Sequence, residues 1–132
     1  MIDINNYIDH TLLRPTATTD EIKKLCEEAI ANQFKAVCVA PIHIDTAKQS
    51  IEKNNVNLCS VVGFPFGYNH IGTKLDEIAR AIDSGADELD VVINIGAIKN
   101  EDWKKVESEM DSIATATKLK KSKILKFILE TA

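Results

Sequence analysis

Little in this sequence belongs to a disulfide scaffold, a zinc finger, a nucleic-acid binder or a membrane protein. Cysteine is scarce, with Cys26, Cys38 and Cys59 the three present. The number is odd and no pair is spaced C-x-x-C, which argues against a disulfide framework and for a reducing, cytoplasmic setting. His10, His43 and His70 show no H-x-x-x-H spacing and no neighbouring cysteine pattern, so spacing supports no metal site. Excess positive charge is missing too. Lysine and arginine number 16 against 20 acidic residues, a net charge of −4, which points away from nucleic acid and from an anionic membrane surface. The one basic run, Lys118, Lys120, Lys121 and Lys123, reads as a solvated helix end and loop. No apolar run is long enough to span a membrane, and Met1 to His10 lacks the basic-then-apolar order of a signal peptide. Linkers rich in proline, glycine or serine are absent, so residues 1–132 are expected to form one domain.

Apolar residues make up 45% and charged residues 27%, enough to build a core in an ordinary globular chain. Short apolar runs alternate with helical patterns. Thr18 and Glu21 offer a capping box, followed by an apolar stripe at Ile22, Leu25, Cys26, Ala29 and Ile30. Residues 36–40 read as a strand closed by Pro41, and Ile44, Ala47 and Ile51 mark a second helix. A strand over 58–64 ends in Gly63-Phe64-Pro65-Phe66-Gly67. Two glycines and a proline without an N–H suit a tight strand-to-helix turn better than a phosphate cradle. Leu75, Ile78, Ala79 and Ile82 mark a third helix, with Gly85 at its C-cap. A strand over 89–95 follows, then a helix with Asn100 as cap and Trp103, Val106, Met110 and Ile113 as its buried stripe. A last strand covers 124–130, and a short first one lies near Tyr7 to Thr11.

Strand and helix in alternation, with short connections, predict βαβ units and a parallel sheet. The pattern within strands selects between an open doubly wound sheet and a closed barrel. Leu89, Val91, Ile93 and Ile95 share one face, and Glu88, Asp90, Val92 and Asn94 share the other. Leu125, Phe127 and Leu129 alternate in the same way with Lys126, Ile128 and Glu130. A doubly wound sheet is covered on both faces and its strands are apolar throughout. A second face carrying charge suits a barrel whose interior holds a polar site, and no G-x-G-x-x-G supports a dinucleotide fold. A complete (β/α)8 barrel takes about 250 residues, so the expectation is a truncated barrel of about five strands.

Asp90 and Lys126 fall on the inner faces of consecutive strands. They read either as an ion pair filling the interior or as a carboxylate and an amine that tune one another. Glu130 shares the Lys126 face and balances its charge. Cys38 reads more readily as a small buried thiol than as a reactive one. His10 beside Asp9 suggests either acid–base work or a satisfied structural histidine.

Six segments resemble the deoxyribose-phosphate aldolases of bacteria, in family order and across the whole chain. They are Tyr7 to Thr18, Val37 to Pro41, Val61 to Gly67, Thr73-Lys74-Leu75, Gly85 to Gly96 and Lys126 to Ala132. Ala40 stands where asparagine is common. The resemblance implies a TIM-barrel lyase of the Schiff-base class, acting without metal or organic cofactor. It would cleave 2-deoxy-D-ribose 5-phosphate reversibly to acetaldehyde and D-glyceraldehyde 3-phosphate, in deoxyribonucleotide catabolism. It implies Asp90 as the proton-handling carboxylate, Asp9 as a second carboxylate of the relay and Lys126 as a lysine beside the site. Cys38, Thr11, Asn94 and Glu130 would line the substrate. The family's Schiff-base lysine and its phosphate-binding loops belong to later strands than these five. Lys126 is therefore not expected to be the nucleophile, and the 132 residues alone are expected to be inactive. The alternative is a non-catalytic half-barrel that self-associates or completes another chain. A homo-oligomer is expected on either reading.

Overall fold

The computed structural model describes residues 3–119 and 124–131. The basic run from Lys118 to Lys123 lies mostly outside them, as does Ala132. The described strands are β1 (Asp9–Leu12), β2 (Ala36–Val39), β3 (Asn57–Val62), β4 (Glu88–Val92) and β5 (Ile124–Ile128). Between them lie helices α1 (Thr19–Ala31), α2 (Ile44–Ile51), α3 (Ile71–Asp83), the single turn α4 (Ile95–Lys99) and α5 (Trp103–Leu119). All neighbouring strands pair in parallel, in the order β1-β2-β3-β4-β5. That order never reverses. A doubly wound sheet has a switch point where it does, so the barrel-type winding expected from the strand faces is the one observed.

Local signals account for most element ends. The Thr18 hydroxyl accepts from the Glu21 amide, and the Glu21 carboxylate accepts from the Thr18 amide at 2.9 Å, completing the capping box. α3 ends at Ser84, and Gly85 takes φ +103°, where a side chain is disfavoured. Gly67 is more constrained. Its φ is +66°, and a Cβ there would lie 2.2 Å from the Ile93 carbonyl oxygen, so only glycine fits this turn.

The helices cover one face of the sheet. Ile22, Leu25, Cys26 and Ala29 of α1, Ile44, Ala47 and Ile51 of α2, and Ile78, Ala81 and Ile82 of α3 pack on it. From the strands Val37, Val39, Leu58, Val62, Leu89 and Val91 complete that core. The alternation expected for β4 therefore holds, with Leu89 and Val91 beneath helices and Asp90 on the opposite, concave face. Several boundaries differ from expectation: β1 begins at Asp9 rather than near Tyr7, and β3, β4 and β5 each stop two or three residues early. β4 stops at Val92, because the Asn94 side chain accepts from the Ala97 amide at 3.0 Å and starts α4. β5 stops at Ile128, and Glu130 adopts φ +53°.

The α5 stripe also differs. Asn100 closes α4 rather than opening α5, and the Lys105 amide is capped by Asp102 at 3.2 Å. Trp103, expected in the core, is the first residue of α5 and 60% exposed. Val106 and Ile113 are buried as expected, but so is Glu109. Its partner is Lys74, a fully buried lysine on α3, at 2.7 Å. Lys74 Nζ also donates to the Val92 carbonyl at 2.8 Å. On the next turn of α3, Glu77 accepts from the Gly63 amide at 2.8 Å. Two charged side chains of one helix thus fasten the C-terminal ends of β3 and β4.

Candidate functional site

The concave face gathers charge around one ammonium. Register places Asp90 beside Lys126 on β4 and β5, and both side chains turn inward because their neighbours Leu89, Val91, Leu125 and Phe127 pack outward. Lys126 Nζ lies 3.1 Å from Asp90 Oδ1, 3.0 Å from Glu88 Oε2 and 2.7 Å from Asp9 Oδ2. Asp9 belongs to β1, the opposite edge of the sheet. A flat five-stranded sheet would hold β1 and β5 roughly 19 Å apart. The direct Lys126–Asp9 contact therefore requires the sheet to curl, as it does in a barrel wall.

One of these carboxylates, Glu88, is also held from behind. Glu88 is 3% exposed, and its second oxygen accepts from Asn57 Nδ2 at 2.7 Å. Asp90 is set differently. Its Oδ1 is buried and close to Lys126, yet no hydrogen-bond donor is aligned with it. Burial on its own would push the Lys126 pKa down. The hydrogen bonds to Asp9 and Glu88, joined by Asp90, outweigh that and hold the ammonium above the ordinary lysine range. Lys126 is thus held as a cation throughout the neutral range.

Cys38 lies on this face, opposite Cys59 in register. Both are buried, with Ala36, Val61 and Leu13 around them. Cys59 Sγ is 3.9 Å from Lys126 Nζ. Contact with Cys38 and burial both push the Cys59 thiol far up. Thr11 is on the same side of β1, opposite Cys38, and its hydroxyl donates to the Asp9 carbonyl at 2.8 Å.

Other expected residues are not brought here. Asn94 is engaged as the α4 cap and borders a cleft between the start of α3 and α5, with Tyr68, His70 and Lys105. Glu130 has left the strand and is exposed; the carboxylates around Lys126 are Asp9, Glu88 and Asp90. His10 points to the helix side, 2.8 Å from Glu28 and against the Phe34 ring, which is the structural-histidine alternative. Glu88 is the residue that sequence reasoning placed on the polar face without giving it a part. Its position two residues before Asp90 was the available signal.

These ionisations set an alkaline limit to stability. Burial raises the Cys26 thiol to about 11 from an unfolded value of 9.0, and Cys59 and Lys126 are raised as well. Between unfolded and folded pKa the native chain binds more protons than the unfolded chain, so stability falls as pH rises. Urea midpoints should be level up to about pH 8 and decline through about pH 10.5, less steeply in Cys26→Ala. A level profile across that range would contradict the assignment.

Comparison with known proteins gives a consistent result. The family described as DeoC/LacD family aldolase matches residues 4–132. The chain is 45% identical over 130 residues to the deoxyribose-phosphate aldolase of Finegoldia magna, covering 98% of this chain and 60% of that one. Against the deoxyribose-phosphate aldolase of Metamycoplasma hominis it is 44% identical, covering 100% and 59%. Among solved structures, the tetrameric deoxyribose phosphate aldolase of Aeropyrum pernix superposes with TM-score 0.86 at 32% identity, covering 96% of this chain and 52% of that one. The chain thus spans half to three fifths of the length of these relatives. Among the described residues no helix is long and apolar enough to cross a membrane.

Proposed function

Because this chain belongs to the DeoC/LacD family of aldolases, we propose that its concave face is the proton-handling part of a Schiff-base aldolase site. The reaction is the reversible cleavage of 2-deoxy-D-ribose 5-phosphate to acetaldehyde and D-glyceraldehyde 3-phosphate. Residues 1–132 form one partial barrel domain, working in the cytoplasm on a small phosphorylated sugar.

The observation that carries this reading is the Lys126 ammonium held by Asp9, Glu88 and Asp90 on the face opposite the helices. A retro-aldol cleavage through an imine needs a base to take the proton from the hydroxyl at the breaking bond. It then needs an acid to protonate the carbon left behind. Asp90 suits that shuttle, because its buried oxygen accepts no aligned hydrogen bond and is paired to the Lys126 ammonium at 3.1 Å. Asp9 shares the Lys126 proton and links the two edges of the sheet. Cys38 and Thr11 border the space above. Glu88 is a positioning residue, bound by Asn57 and Lys126. The imine itself requires an unprotonated amine, which the carboxylates deny to Lys126. The resemblance to the deoxyribose-phosphate aldolases puts the Schiff-base lysine on a later strand than these five, and that strand is the expected source of the nucleophile.

Incubated alone with acetaldehyde and borohydride, residues 1–132 should yield no stoichiometric lysine adduct, and a coupled assay with deoxyribose 5-phosphate should show no turnover. Turnover abolished by Lys126→Ala, with a reduced adduct on Lys126, would mean that the nucleophile has been misassigned.

The sheet order leaves β1 and β5 as edges among the described residues, and unpaired strand edges favour association. We propose a homo-oligomer joined through these edges. Light scattering should give a dimer or larger species at high micromolar concentration, whereas a monomer would refute it.

A further inference from the structure

We propose that Cys38, Cys59 and Asp90 form a binding site for a thiophilic divalent cation of the zinc and cadmium class. The cysteines are far apart in sequence and match no metal motif, but strand register sets them opposite one another on β2 and β3. Asp90 follows on β4, on the same concave face. The two sulfurs and a carboxylate oxygen of Asp90 all lie within 4.8 Å of one another. The three strands are interior to the sheet, each paired on both sides, so the backbone holding these donors is rigid.

The geometry is close to what such an ion needs. Zinc bonds to sulfur at about 2.3 Å and to carboxylate oxygen at about 2.0–2.2 Å, which sets tetrahedral donors roughly 3.5–3.8 Å apart. Side-chain rotation that closes the triangle by about an ångström suffices. Ala36, Val61 and Leu13 pack around the thiols and keep competing water away. The buried Asp90 Oδ1 accepts no aligned hydrogen bond, and its neighbour is a cation, the Lys126 ammonium at 3.1 Å, whose place a metal ion can take. Two thiolates select against magnesium and calcium, which take oxygen ligands.

Lys126 is the competing charge, 3.9 Å from Cys59 Sγ and 3.1 Å from Asp90 Oδ1. It yields without being stranded. Its shorter contacts, to Asp9 at 2.7 Å and Glu88 at 3.0 Å, keep it paired when Asp90 turns to the ion. Binding forms two metal–sulfur bonds and one metal–oxygen bond and releases the two thiol protons to solvent. Three protein donors leave the fourth position to water from the concave side. If Asp90 shuttles protons as proposed above, the bound ion would arrest that shuttle; only this consequence depends on the aldolase reading.

Cobalt(II) is the probe, added to the reduced 132-residue chain without air. One equivalent should produce a thiolate-to-cobalt charge-transfer band and tetrahedral ligand-field bands, both removed by zinc. Cys38→Ser and Cys59→Ser should each abolish the charge-transfer intensity of the two-thiolate site. Asp90→Asn should weaken binding about tenfold or more, and Cys26→Ser should change nothing. Cadmium-113 NMR of the unaltered chain reads the donor set without any variant, and should report a mixed sulfur–oxygen site. An all-oxygen cadmium resonance, an absent charge-transfer band, or a band that persists in both cysteine variants or disappears in Cys26→Ser would overturn the proposal. So would unchanged affinity in Asp90→Asn.

Discussion

Lys74→Met should lower folding stability by about 3–5 kcal/mol, the cost of leaving one partner of a buried ion pair uncompensated. Domains of this kind are stable by about 5–15 kcal/mol in all, so the variant would sit near the edge of folding. The magnitude follows from burial. Lys74 and Glu109 have side chains 0% and 7% exposed and meet at 2.7 Å, so water cannot take over for the missing ammonium. Methionine also leaves the Val92 carbonyl without its donor. The double variant Lys74→Met, Glu109→Leu removes both charges and should recover most of the loss, because apolar replacement of a buried pair is often neutral. Urea unfolding of the three proteins is the test. A single variant within about 1 kcal/mol of the parent would show that the pair is hydrated or absent.

The second large effect is on catalysis. When residues 1–132 replace the matching part of the Finegoldia magna aldolase, the grafted enzyme should be active. In that enzyme Asp90→Asn should lower kcat by about 10²–10⁴-fold, the usual worth of a positioned acid–base group. Asparagine keeps the shape and a hydrogen-bonding oxygen but cannot take up and release a proton near neutral pH. The loss should therefore fall on kcat, with KM little changed. A grafted enzyme that folds and keeps its kcat after Asp90→Asn would remove Asp90 from the mechanism.

What was legible beforehand was local. Asp90 could be assigned to the inner face of β4 because strand alternation depends only on neighbours, and Leu89 and Val91 fixed the outer face. The Thr18–Glu21 box and Gly85 mark helix ends for the same reason. The failures involve distant partners or interrupted elements. Lys74 sits next to Leu75 on an amphipathic helix, and nothing in the apolar stripe of that helix marks it as buried. Its burial depends on Glu109, on another helix. Glu88 lacked a stated part because its anchor, Asn57, comes from β3. Asp9 entered through family resemblance, since nothing in the β1 sequence shows that the sheet curls far enough to bring it to Lys126. The periodic patterns that put Glu130 on an inner strand face and Trp103 in the core fail at element ends, where neighbouring elements no longer cover the side chain. β5 ends two residues before Glu130, and α5 begins at Trp103. The Asn94 cap of α4 was readable in principle, but the apolar Ile93 and Ile95 around it mimic a continuing strand.

In the proposed mechanism these strands supply proton handling and the reactive amine comes from elsewhere in the barrel. Borohydride trapping of the grafted enzyme with acetaldehyde, followed by peptide mass mapping, tests this most directly. The reduced adduct should lie on a lysine of the Finegoldia magna segment, with Lys126 unmodified. An adduct on Lys126 would contradict the account, because it would show that the amine held by Asp9, Glu88 and Asp90 is free to attack.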